Sequence, residues 1–79
     1  MTKETFYNVE YEKCLLAIML LDNSLIDIIS GKLTSEQFYD VRNGNIFNAI
    51  CTTFTENKHA DILNVSEKFM FLLLPFLKM

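Results

Sequence analysis

From Val9 to Leu21, apolar residues recur at three- and four-residue steps. Tyr11, Cys14, Leu15, Ile18 and Leu21 make one stripe, and Leu16, Met19 and Leu20 widen it. That spacing predicts a helix, and so wide an apolar surface implies burial on more than one side. Asn8 stands where an N-cap belongs, and Glu10 and Glu12 fall in the first turn, where carboxylates favour the positive end of the helix. Asp22-Asn23-Ser24 breaks the pattern as a turn that also caps a short second helix. Leu25, Ile28 and Ile29 share one face of that helix, and Gly31 suits the left-handed position that ends helices.

Thr34-Ser35-Glu36-Gln37 has the form of a capping box, with Leu33 and Phe38 as the flanking hydrophobic staple. A helix is predicted to begin there. Asn43-Gly44 interrupts or bends the next segment, yet Ile46, Phe47, Ile50, Cys51 and Phe54 keep helical spacing, so Val41 to Thr55 reads as helix. Beyond the polar loop Glu56-Asn57-Lys58-His59, Asp61 caps a last helix in which Ile62, Val65, Phe69 and Leu72 or Leu73 share a face. Pro75 is predicted to end it near Leu73. No hairpin turn or sustained alternation is present, so the fold class is all-α, a small orthogonal bundle of about four helices. The expected organisation is a polar lead over 1–7, a helical domain over 8–74 and an apolar tail over 75–79.

Composition sharpens this picture. A chain of 79 residues, 51% hydrophobic, holds one small domain, with no room for a nucleotide-binding fold and a substrate domain together. Domains this small are marginal without a disulfide framework, a metal or a partner, and only Cys14 and Cys51 are present. A partner or a larger chain is therefore expected to complete the burial. The net charge is −3, with the acids concentrated in the N-terminal half. Lys and Arg are scattered singly rather than clustered as a phosphate-binding footprint, which argues against direct nucleic-acid binding. No signal peptide is read at the N-terminus. The apolar run from Phe69 to Leu77 falls short of the roughly 17–25 residues of a membrane span. A cytoplasmic location follows, with reduced cysteines.

Three blocks in order resemble the N-terminal domain of DnaB-type replicative DNA helicases, the helical collar that precedes the motor domain. The first is Asn8-Val9-Glu10-Tyr11-Glu12 followed by Leu15-Leu16-Ala17-Ile18-Met19-Leu20-Leu21-Asp22. The second is Leu33-Thr34-Ser35-Glu36-Gln37-Phe38-Tyr39, with Ile46-Phe47-Asn48-Ala49-Ile50 at the expected distance. Asp61-Ile62-Leu63-Asn64-Val65 is the third. The resemblance spans about residues 8–69 and departs from the family pattern at Tyr11, Ala17, Gln37 and Asn43. It assigns a structural, non-catalytic part to Asn8, Glu10, Glu12, Asp22, Phe38, Tyr39, Ile46, Phe47 and Asp61. The family continues into further helices, a helical hairpin, a linker and an ATPase domain, so a truncated relative or the first piece of a longer protein is expected. The resemblance implies a collar domain acting in DNA replication by oligomer assembly and by docking primase or a helicase loader. ATP and magnesium would belong to the motor domain. The alternative is a stand-alone helical adaptor or inhibitor that competes for the helicase's partners.

The remaining chemistry reads as structural. No phosphate loop exists, the only glycines being Gly31 and Gly44; no catalytic, cofactor or metal residues are expected, and the chain is read as non-enzymatic. Cys14, Cys51 and His59 lack the paired spacing of a zinc site. Both cysteines are placed on apolar helix faces as small hydrophobes, and His59 is placed in solvent. Glu10 and Glu12 lie on different helix faces and are explained by helix-start electrostatics. Phe38, Tyr39, Phe47 and Phe54, without interleaved basic residues, are read as core rather than base-stacking groups. The apolar tail is read first as a core helix with a frayed end. Two alternatives stay open: an oligomer or partner surface through Phe69, Phe71, Leu74 and Phe76, and membrane-surface binding, for which a cationic face is missing.

Overall fold

The computed structural model describes residues 8–77, and the side chains of residues 8–70. The lead over 1–7 and the side chains of Phe71, Leu74 and Phe76 lie outside the described residues. Four α-helices follow in order: α1 (Val9–Leu21), α2 (Ser24–Ser30), α3 (Val41–Asn57) and α4 (Ile62–Leu77), with a 3-10 turn at Ser35–Gln37 between α2 and α3. The described residues contain no strand, and the protein is an all-α bundle. Helix α3 is its axis, since α1, α2, the 3-10 turn and α4 all pack on it. Leu16 and Met19 of α1, Ile26 of α2, Phe38, and Phe47, Ala49 and Ile50 of α3 meet Ala60 and Val65 in a single core. None of the helices among the described residues is long and apolar enough to cross a membrane.

Helix α1 begins as its sequence predicts. The Asn8 side chain accepts from the Glu10 and Tyr11 amides at 2.9 and 3.1 Å, satisfying donors that a helix start leaves unpaired. Its buried face is not the predicted one, however. Glu12, Leu16 and Met19 point inward, while Tyr11, Cys14, Ile18 and Leu21 are exposed. A helix apolar on most of its circumference leaves its periodicity undecided, and here polar bonding fixes the rotation. Glu12 must reach donors on the far side of the core. At the other end, Asn23 Nδ2 donates to the Met19 and Ala60 carbonyls at 3.0 Å each, and its Oδ1 accepts from the Ala60 amide at 2.8 Å. In α2 the same correction applies: Ile26 is fully buried and Ile28 exposed.

Three further expectations change. The capping box at Thr34 is present, the Thr34 amide donating to Gln37 Oε1 at 2.8 Å. It opens only the 3-10 turn, because Phe38 breaks to an extended conformation (φ −77°, ψ 137°). That break turns the Phe38 ring inward against Phe47, centroids 5.0 Å apart. Gly31 is right-handed (φ −79°); the left-handed residue is Lys58 (φ 62°), which closes α3. Finally, α4 continues through Pro75 to Leu77. Proline takes one amide out of the helical ladder but its own fixed φ is helical, so the chain carries on for two more residues. The predicted Asp61 cap is confirmed as a reciprocal pair, Asp61 Oδ1 accepting from the Asn64 amide at 2.8 Å and the Asp61 amide donating to Asn64 Oδ1 at 2.9 Å.

Candidate functional site

The features able to serve function are a buried polar clamp that fixes the α1–α3 geometry and the apolar surfaces that this geometry turns outward. The clamp centres on Glu12, 8% exposed. Its carboxylate accepts from the Tyr39 amide at 2.6 Å, the Asp40 amide at 3.3 Å and Asn43 Nδ2 at 3.0 Å. A buried carboxylate is costly unless its oxygens are hydrogen-bonded, and here two backbone donors and one side-chain donor supply that bonding. Glu12 is thus not explained by helix-start electrostatics alone, as its position in the first turn suggests. Its neighbour Glu10 is, being exposed and 3.6 Å from Lys13 Nζ. With three donors on Glu12 and Asn43 sealing it from α3, the group works as a tie between helices.

The connection that Glu12 grips is shaped for the purpose. Asp40 caps α3 by accepting from the Arg42 amide at 2.8 Å, and its other oxygen pairs with Arg42 Nη2 at 2.9 Å. The Arg42 guanidinium holds the Asp40 carboxyl below the usual carboxylate range. Gly44 lets this turn close against α3, because a Cβ there would sit 2.5 Å from the Ser35 carbonyl oxygen. Polar residues at positions an apolar pattern would fill (Glu12 and Asn43), and a glycine inside a helix, were the available signals; their partners lie too far along the chain to be read from spacing.

The family-motif residues divide between core and surface. Phe38 and Phe47 are buried, Ile46 is half-buried, and Tyr39 is exposed. Asp22 Oδ1 accepts from the Ser24 amide and hydroxyl at 3.1 and 2.6 Å, holding the α1–α2 turn. Asp61 caps α4 and meets His59 Nε2 at 3.0 Å, so His59 is not simply solvated. The Asn64 amide is the main cause lowering the Asp61 carboxyl, with His59 adding to it. Cys14 is exposed, against expectation, on the outward side of α1; Cys51 is half-buried, and burial pushes its thiol up. Among the described residues no three of His, Cys, Asp and Glu gather where a metal could be held.

Among the described residues, two apolar surfaces stand out. One is the outward side of α1. The other is a groove of about 300 Å³ lined by Leu20, Ile46, Ile62, Val65, Phe69 and Met70. Phe69, an expected interface residue, is half-buried in its wall. Apart from the Cys14 thiol on α1, what both surfaces offer is shape and apolar area.

Comparison with known proteins agrees with this architecture. The family model described as DnaB-like helicase N-terminal domain matches residues 4–72. The replicative DNA helicase DnaB of Rhodothermus marinus is 40% identical over 60 residues, covering 76% of this chain and 6% of that protein. The chain thus spans a small fraction of the relative's length. No solved structure matches it. With nearly all its helical residues inside the matched range, the chain belongs to the DnaB-like helicase N-terminal domain family.

Proposed function

We propose that this chain is the interaction and collar domain of a replicative DNA helicase, working in DNA replication by assembling with further copies and by docking primase or a helicase loader. The carrying observation is the family match over residues 4–72. The apolar surfaces left on the outside of the bundle support the reading, since contiguous exposed apolar area marks interaction sites. In this mechanism the domain does no bond chemistry. The Glu12 and Asn23 anchors hold the helices rigid, so that docking surfaces are presented without a further ordering cost on binding. ATP and magnesium serve the motor domain of the complete helicase, and the chain works in the cytoplasm.

The test is size-exclusion chromatography with light scattering on the purified chain, alone and mixed with purified primase or loader. The expected result is a species heavier than the monomer in at least one of these mixtures. A chain that remains monomeric and binds neither protein would refute the assignment.

A further inference from the structure

Asn43 is the only asparagine of this chain that glycine follows. Such a pair is chemically labile, because the glycine amide nitrogen, unshielded by a side chain, can attack the asparagine side-chain carbonyl carbon. A five-membered succinimide forms and ammonia leaves; water then opens the ring to aspartate or isoaspartate. Changing either residue removes the lability, yet here the fold holds both in place. Asn43 Nδ2 donates to buried Glu12 at 3.0 Å, and a Cβ at position 44 would sit 2.5 Å from the Ser35 carbonyl oxygen.

We propose that Asn43-Gly44 is a deamidation site gated by the Glu12 grip: shut in the folded domain, open when the start of α3 comes away from α1, and irreversible once used. The folded state blocks each requirement of the reaction. Both residues lie inside α3, where the backbone keeps a helical ψ, and ring closure needs the Cα–C bond of Asn43 rotated out of that value. The attacking Gly44 nitrogen is committed as a donor to the Asp40 carbonyl at 3.0 Å. Asn43 itself is 4% exposed and tied to Glu12, so the water that would open the ring is kept away. These protections all sit in the first turn of α3, and a helix end opens at a lower free energy than the core. The product cannot return to the grip. It carries a carboxylate at position 43 in place of the amide donor, and two buried carboxylates side by side repel. Isoaspartate also adds a carbon to the backbone and breaks the helical ladder. The site thus turns a reversible opening of the α1–α3 contact into a permanent one.

Peptide mapping by mass spectrometry, after long incubation of the full chain in mildly alkaline buffer, tests this. In denaturing guanidinium chloride, Asn43 should deamidate ahead of every other asparagine, and Gly44→Ala should slow it there, where folding plays no part. In native buffer Asn43 should keep its amide. Conversion should rise with denaturant below the unfolding midpoint, because chemistry on a briefly open segment follows the open population. Glu12→Gln, which leaves one acceptor oxygen for three donors, should speed conversion in native buffer roughly fivefold or more, with helical circular dichroism retained. Asn43→Asp, which sets the product's carboxylate in place, should melt below Asn43→Ala. Three results would each overturn the proposal: another asparagine converting first in denaturant, equal rates at Asn43 in native and denaturing buffer, or a folded Glu12→Gln variant that converts no faster than the parent. An Asn43→Asp variant as stable as Asn43→Ala would overturn its irreversible half. Where Glu12→Gln does not fold, the denaturant series on the unaltered chain decides alone.

Discussion

Glu12 of α1 and Asn43 of α3, 31 residues apart, share a hydrogen bond of 3.0 Å inside the bundle. It is one arm of a three-way grip in which the same carboxylate holds the amides of Tyr39 and Asp40. The grip links the start of the first helix to the start of the central one. It also selects which side of α1 faces the core, and so which of its apolar residues are left exposed.

Replacing Glu12 should therefore cost far more than removing a charge from a helix start. Glu12→Ala leaves the two amides and the Asn43 side chain without their acceptor, and a buried unpaired donor costs about 1–3 kcal/mol. The expected loss in urea unfolding is at least about 2 kcal/mol, a large share of a small domain's stability. Paired with Asn43→Ala in a double-mutant cycle, the two changes should be non-additive by about 1 kcal/mol. Additive effects would show that the bond contributes little to the grip.

Gly44→Ala pits two effects against each other. Alanine is favoured over glycine in a helix by about 1 kcal/mol. Its Cβ, however, would lie 2.5 Å from the Ser35 carbonyl oxygen, a backbone atom with little freedom to move. Overpacking of this kind costs about 1–3 kcal/mol, so the net expectation is a lower melting temperature. A variant that melts at or above the parent would mean that the 3-10 turn can shift aside freely.

Glu12 and Asn43 also show where sequence patterns stop being informative. Asn8 and Asp61 were legible because caps act within three residues, and local spacing contains the whole signal. The all-α class was legible for the same reason. The rotation of α1 was not: Tyr11, Cys14, Ile18 and Leu21 form as good a stripe as the buried set, and the choice was made by Glu12 reaching residues 39, 40 and 43. The helix expected at Thr34 failed in a similar way. Its cap is intact, but the gain from seating Phe38 on Phe47 outweighed continuing the turn. That stripe on α1 is plain in the pattern, and its exposure follows from the core taking the opposite side of the helix.

Acid should weaken the fold through its capping carboxylates. Asp40 is held below its ordinary value of 3.8, first by the Arg42 side chain, and Asp61 below the same value, first by the Asn64 amide. A carboxylate whose folded pKa is depressed contributes stability above its unfolded value and loses it as pH falls through the folded one. The melting temperature should therefore decline as pH drops below about 4, and with neither aspartate fully buried solvent screens both, so the contribution of each is small. Asp40→Asn with Asp61→Asn should lower the melting temperature near neutral pH and flatten its acid limb. An acid limb as steep as the parent's would assign the pH dependence to other carboxylates.

Lys58 offers the opposite kind of change, a substitution that should stabilise. It ends α3 at φ 62°, ψ 15°, and its amide donates to the Phe54 carbonyl at 2.7 Å. The left-handed conformation costs an L-residue with a Cβ roughly 1–2 kcal/mol, and glycine avoids this. Glycine also loses more backbone freedom on folding, which offsets part of the gain. The Lys58 side chain is exposed, so no core contact is lost. Lys58→Gly should therefore raise the unfolding free energy by about 0.5–1 kcal/mol, measured by urea titration at unchanged m-value. A loss of stability instead would show that the lysine side chain contributes more at this helix end than its backbone strain costs.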